Sequence, residues 1–157
     1  MARVIADGEV RISEVATIAD TTAPTAAEIA AGTNITPYLQ SIDTPLEGNR
    51  VNAGDLSTAF RITAAGKFGG DVSMDVHRGT VSADDTAYTL FPRGTQTNIV
   101  LRRFGGSTVA IVATDVVEVW PVRVVTRSPA PLDEEALQMA TVDMAATAEP
   151  DIDVAVA

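Results

Sequence analysis

Cysteine is absent from this 157-residue chain. That excludes disulfides, thiolate metal sites and cysteine nucleophiles. Aromatic residues make up only 4% of the chain, and histidine occurs once, at His77. A surface that stacks sugars or bases needs clustered rings, and the few here are scattered. No apolar run approaches the length of a membrane-spanning helix. The N-terminal stretch "MARVIADGEVR" lacks the apolar core of a secretory leader. These absences predict a protein made and used in a cytosol, or released by lysis. Basic residues are also scarce. Residues 131–157 hold Asp133, Glu134, Glu135, Asp143, Glu149, Asp151 and Asp153 and no Lys or Arg, out of a net charge of −10. A chain so acidic is not expected to bind nucleic acid by counterion release. Solubility accounts for the balance. A sharper reading is a surface that stays close to nucleic acid without adhering to it.

What is present suits one folded domain. Hydrophobic residues reach 46%, enough apolar surface to offset chain entropy. They are mostly Val, Ala and Ile, whose small side chains bury little area each. A lone subunit should be modestly stable, and burial against neighbouring copies would help.

Period-two patterning dominates. Val72, Met74 and Val76 alternate with Asp71, Ser73, Asp75 and His77, the pattern of a half-buried strand. "LSTAFRITAAG" before it predicts another strand, with a turn at Gly69-Gly70 between the two. "QTNIVLRRFGGSTVAIVA" predicts a hairpin around Gly105-Gly106-Ser107. "DVVEVWPVRVVTR" predicts a long strand in which Pro121, which cannot donate to a ladder, marks an edge or a bulge. "ARVIA" and "EVRISEVATIA" predict an N-terminal strand or hairpin around Asp7-Gly8. Asp43 to Asp55 is dense in Pro, Gly, Asn and Asp and predicts a long loop, of the kind that is usually functional or mobile.

One short helix stands out. Thr25 can cap it, Glu28 sits where it can reach back to the cap, and Gly32 stands where a left-handed terminal residue is wanted. Only Ala26 to Ala31 lie between, too short for stability in water. Ile29 must therefore dock on a larger body. Ser82 with Asp85 predicts a second short helix or helical turn.

No catalytic constellation emerges. His77 lies on the polar parity of a strand, which suits a hydrogen-bonded surface residue better than a general base. There is no nucleophile elbow, phosphate loop or calcium loop. Arg102 and Arg103 are expected to meet carboxylates of other subunits. The reading is therefore a non-enzyme, without cofactor or metal.

"PTAAEIAAGTNITPYL", "LSTAF" and "DVVEVWPVRVVTRSPAP" together resemble the major tail protein, or tail tube protein, of long-tailed phages infecting actinobacteria. Pro24, Thr25, Glu28, Ile29, Gly32, Thr33, Asn34, Ile35 and Thr36 carry the first motif. Val117, Val119, Trp120, Pro121 and Val122 carry the other. The resemblance runs from about Val10 to Ala148. It implies a mainly β, sandwich or barrel-like domain over residues 1–157 with one short flanking helix. Six copies would form a ring, and rings would stack into a hollow virion tube, assembled in the host cytoplasm. The tube would surround a tape-measure protein, meet a tip or initiator and a terminator at its ends, and later pass DNA without binding it. It further implies that the 41–55 loop, with Leu46, Glu47, Asn49, Arg50 and Asn52, reaches the next ring. The lumen-facing candidates are Asp71, Ser73, Asp75 and His77. The family has a late strand, so Leu137 to Ala146 is expected to be mainly strand despite its helix propensity. Residues 149–157 are expected to be a C-terminal arm or an inter-subunit contact. Competing readings are a contractile-system tube protein, a tail terminator, and a bacterial β-sandwich binding module.

Overall fold

The computed structural model describes residues 8–52, 63–79, 85–131 and 137–157. The described residues form one antiparallel sheet of nine strands. In chain order these are β1 (Arg11–Val15), β2 (Thr33–Asn34), β3 (Leu39–Asp43), β4 (Leu46–Asn52), β5 (Thr63–His77), β6 (Gln96–Arg102), β7 (Val116–Pro129), β8 (Met139–Ala146) and β9 (Asp151–Ala155). Two short helices, α1 (Ala26–Ala31) and α2 (Thr86–Leu90), and a 3-10 turn at Thr36–Tyr38 complete it.

The main path across the sheet is β2-β1-β6-β7-β8-β5-β3, with β4 added to β5 and β9 to β7. Its two end strands, β2 and β3, are consecutive in the chain. Laid flat, seven strands would hold them about 29 Å apart, at about 4.8 Å per step. The link from Asn34 to Leu39 can reach at most about 18 Å. The sheet must therefore roll, which agrees with the barrel-like expectation.

Rolling encloses the larger core. Val72, Met74 and Val76 of β5 are buried there with Trp120, Val122 and Val124 of β7 and Ala140, Val142 and Met144 of β8. The predicted alternation along β5 holds residue by residue. The expected late strand is β8, and Trp120 is a core residue, 1% exposed. A second cluster forms on the other face of β1, β6 and β7, where Val15, Val100, Val117 and Val119 meet Ile29, Ile111 and Val156. The central strands are thus buried on both faces, which explains their near-continuous apolar runs.

Helix α1 is the lid of that second cluster, and Ile29 is its buried residue. Its capping box forms as predicted. Glu28 N–H donates to Thr25 Oγ1 (3.2 Å), and Thr25 N–H donates to Glu28 Oε2 (2.9 Å). The Ala19 and Thr25 amides and the Thr25 hydroxyl hold the Glu28 carboxyl below its ordinary pKa. The Ala157 backbone clasps the helix start, donating to Pro24 O and accepting from Ala26 N–H. Gly32 departs from expectation. Its φ of −78° and ψ of 177° are extended, not left-handed.

Several other expectations are corrected by long-range pairing. Gly69-Gly70 is not a turn but lies inside the continuous 15-residue β5. A Cβ on Gly70 would sit 3.0 Å from the Trp120 ring, so close packing rather than chain reversal explains this glycine. The described part of the expected 41–55 loop, residues 41–52, is largely strand, and residues 53–55 lie outside the described residues. That part supplies the end of β3 and all of β4, and β4 pairs with β5 from Leu46↔Gly70 to Asn52↔Thr63. The residues that look unstructured in isolation have backbone partners in a distant strand. Gly105-Gly106-Ser107 does turn the chain, but residues 109–112 are loop, and β7 is the returning strand. Pro121 lies in the central β7, where its neighbour changes from β9 (up to Val119) to β8 (from Val122). The Pro121 carbonyl accepts from Thr147 N–H between those strands, so the missing proline N–H falls in the same gap. Residues 149–157 are no free arm, because β9 pairs with β7 of the same chain. Asp7, Asp133, Glu134, Glu135, Phe60, Ile62 and Ser82 lie outside the described residues.

Helix α2 closes one end of the larger core through Ala87 and Phe91. Asp85 makes no capping hydrogen bond to it. The carboxylate instead accepts from Arg78 Nε (2.8 Å) and Gly79 N–H (2.9 Å). The Tyr88 ring lies between the Arg78 and Arg127 guanidiniums, at 3.7 and 3.9 Å. The Arg78 hydrogen bond holds the Asp85 carboxyl below its ordinary pKa, with Gly79 helping and burial opposing. A depressed folded-state pKa gives stability that is complete above the ordinary carboxylate value and is lost as pH falls through the folded value. Asp85→Asn is expected to cost about 1–2 kcal/mol at pH 7, discounted for the partial exposure of Arg78. It should also flatten the acid limb of the stability curve. Urea unfolding between pH 7 and pH 3 checks this; parallel curves for variant and wild type would remove the assignment.

Candidate functional site: a polar sheet face and a projecting hairpin

The outward parity of β5 meets polar residues from three strands. Ser73 pairs with Asp143 of β8 and Asp43 of β3, and Asp75 pairs with Thr141 and Ser41. Thr126 and Ser128 of β7 continue the two rows. The side chains are knitted across the strands. Asp75 accepts from Ser41 Oγ (2.8 Å) and Thr141 Oγ1 (2.7 Å). Asp143 accepts from Ser73 Oγ (2.7 Å) and Thr126 Oγ1 (3.0 Å). A register shift between Val124 and Thr126 returns Thr126 to this face, so that Arg127 turns inward toward α2.

The four candidates, Asp71, Ser73, Asp75 and His77, thus share one parity of β5, and His77 ends the row opposite Met139. Sequence reading misses their partners Asp43, Thr126, Thr141 and Asp143. Strand parity could offer Asp143 and Thr141, but only the register shows which rows they join. The face carries Asp43, Asp71, Asp75 and Asp143 against Arg123 and His77. Its carboxylates accept from hydroxyls, and no cluster able to hold a metal occurs among the described residues.

The second feature is the β4–β5 hairpin. Residues 71–77 of β5 pair with β8, whereas 63–70 pair with β4 alone among the described strands. From Gly70 to Thr63 the hairpin extends about 24 Å beyond the body at about 3.4 Å per residue. Leu46 sits at its base, 49% exposed, and Glu47, Asn49, Arg50 and Asn52 follow along β4. The register shifts between Gly48 and Arg50, where Gly66 and Lys67 of β5 oppose the single residue Asn49, so the bulge lies in β5.

Arg102 and Arg103 are engaged within the chain. Arg102 Nη1 lies 2.7 Å from Asp115, and Arg103 pairs with Glu118. The expected inter-subunit role for these two residues is replaced by internal pairing. The turn after β6 brings Asp115 and Glu118 back beside them.

A family model described as "Phage tail tube protein" matches residues 1–157. No curated protein matches the chain. Among solved structures, a chain from the tail of an empty GTA particle, refined with C6 symmetry, has a TM-score of 0.59 at 13% identity, over 96% of this chain and 98% of that one. A chain from the virion of a native gene transfer agent particle has a TM-score of 0.58 at 12% identity, over 99% and 100%. A chain from the six-fold symmetrised baseplate of the anti-feeding prophage has a TM-score of 0.56 at 9% identity, over 96% of both. At these identities the likeness is one of fold.

Proposed function

The chain belongs to the phage tail tube protein family, and we propose from that premise that it polymerises as stacked hexameric rings into the tube of a phage tail. The family match over the whole chain carries the reading. The symmetry of the tail and baseplate assemblies with the same fold supports six copies per ring. The motifs from Pro24 to Thr36 and from Val117 to Val122 support a long-tailed phage of actinobacteria. The role is structural rather than catalytic. Its partners are further copies of itself, a tape-measure protein, and the tip and terminator at the tube ends, and assembly takes place in the host cytoplasm before the tube enters the virion. Fold likeness to the anti-feeding prophage chain favours a runner-up, a tube subunit of a contractile injection system. Negative-stain electron microscopy of the purified chain, with and without a candidate initiator, tests the reading. Hollow tubes of stacked rings are expected; a persistent monomer in both conditions would overturn it.

The polar face of β3, β5, β8 and β7 is assigned to the lumen. Carboxylates there repel phosphates, so DNA slides without adsorbing. Replacing the exposed Asp43 and Asp71 by Arg should leave tubes intact but slow DNA ejection, with a new dependence on salt. Unchanged ejection kinetics at low salt would place this face outside the tube.

The β4–β5 hairpin is assigned to contact between rings, because it projects beyond the body. Shortening it by removing 49–52 together with 63–66 keeps the ladder in register. Single rings without tubes are the expected product, read by microscopy and light scattering. Full-length tubes from this variant would remove the assignment.

A further inference from the structure

The loop between β6 and β7 is apolar, exposed and rigidly held. Phe104, Val109 and Val112 are 61%, 54% and 55% exposed. Beneath them the buried Arg102 donates to the carbonyls of Gly105, Gly106, Val109 and Ala110 and to Asp115. Arg11, its neighbour across the ladder, also donates to Val109 O (2.9 Å). Thr114, a β-branched residue, is held at φ 77°, a conformation kept only where its surroundings over-determine it. Nothing in the rolled sheet requires so many hydrogen bonds to fix a surface loop. Fixing it does lower the entropy lost when the loop docks.

A matching recess lies on the other flank of β7 and β9. Where β8 ends, the sheet forks, with β9 on one side and the β4–β5 hairpin on the other. The cleft between them has a volume of about 450 Å³ and is lined by Leu46, Gly48, Pro150 and Ile152, with Glu47 and Glu149 beside them. Leu46 and Ile152 are 49% and 44% exposed. The charges are complementary. Among the described residues the cleft lining is acidic and contains no Lys or Arg. The loop is flanked by Arg103, whose side chain stays 55% exposed while its partner Glu118 is 7% exposed, whereas Arg102 beneath the loop is already paired with Asp115.

We propose that the Phe104–Val112 loop of one copy of this chain seats in the cleft between β9 and the β4–β5 hairpin of a neighbouring copy. Two different patches on opposite flanks make a head-to-tail contact, which closes into a ring or propagates as a stack. The inference rests on the tube reading above and names the surfaces that would join its subunits.

The absence of cysteine makes the test clean, since introduced thiols have no background. Phe104→Cys and Ile152→Cys are made as separate variants, mixed, assembled and treated with a short bis-maleimide. A second pair, Val109→Cys with Leu46→Cys, guards against one variant failing to fold. Covalent dimers are expected from each mixture and not from either variant alone. A chain carrying both substitutions should give a ladder of larger oligomers. Tubes that form without a cross-link from either pair would overturn the docking and leave the tube reading standing. No tubes from the wild-type chain with its initiator would overturn the tube reading and the docking with it.

Discussion

Replacing Arg102 by methionine is expected to destabilise the subunit by about 3–5 kcal/mol, the usual effect of breaking a buried ion pair from one side. That is a large share of the roughly 5–15 kcal/mol that holds a typical domain. Methionine keeps much of the aliphatic stem, so lost packing contributes little. What is lost is the group that collects four carbonyls and Asp115. Among the described residues Asp115 would keep only the Val112 amide (3.0 Å), and, while Val109 O would keep Arg11 and Gly106 O the Val109 amide, the Gly105 and Ala110 carbonyls would need water where the arginine now lies 3% exposed. Lysine should rescue little, because one ammonium cannot reproduce the planar fork. Urea unfolding gives the magnitude. Hydrogen exchange of the amides from Gly105 to Asp115 gives the location. A loss below about 1 kcal/mol, the range of an exposed ion pair, would show that the clamp does not hold the loop.

Gly32→Ala is expected to cost about 2–3 kcal/mol, the upper part of the range for overpacking. Two effects oppose each other. At φ −78° an alanine fits the backbone, and the stiffer unfolded chain alone would favour it by about 0.4–1 kcal/mol. The new Cβ, however, would lie 2.3 Å from the Glu14 carbonyl oxygen and 2.8 Å from Val15 Cγ2. The first of these is backbone in β1, tied into the ladder with β6, and cannot swing aside. The clash therefore wins, and α1 must lift from the second cluster and draw Ile29 with it. The Asn variant separates the two explanations for this glycine. A left-handed terminus would accept Asn better than Ala, whereas close approach rejects both. Thermal melts in which Gly32→Asn matched wild type would sink the close-approach account.

Much of the fold is legible in the amino-acid sequence. The alternation from Asp71 to His77 places three valine or methionine side chains in the core and four polar ones on a shared face. The Thr25–Glu28 capping box places α1 to the residue. The mainly strand reading of Leu137 to Ala146 prevails over helix propensity, because β8 is paired on both sides, with β5 and β7. Such pairing routinely overrides local preference. Glycine-rich segments mislead for a common reason. A glycine that makes room for a side chain or backbone from elsewhere has the same local signature as one that turns the chain. Gly32 and Gly70 are of the first kind, and only their neighbours Glu14 and Trp120 reveal it.

The candidate site is half legible. Parity selects Asp71, Ser73 and Asp75, but not the hydroxyls that bind them, since Thr141 lies 66 residues from Asp75. Sequence alone determined what residues within about four positions of one another determine: strand periodicity, the helix cap, and the motifs that resemble tail tube proteins. The tertiary structure alone decided which edges meet. It turned an expected loop into β4 and an expected arm into β9, and it bound two arginines to carboxylates of their own chain. The physical reason is that a ladder hydrogen bond is the same between any two strands, so local sequence carries little of its address. The choice is made by the roll of the whole sheet around one core.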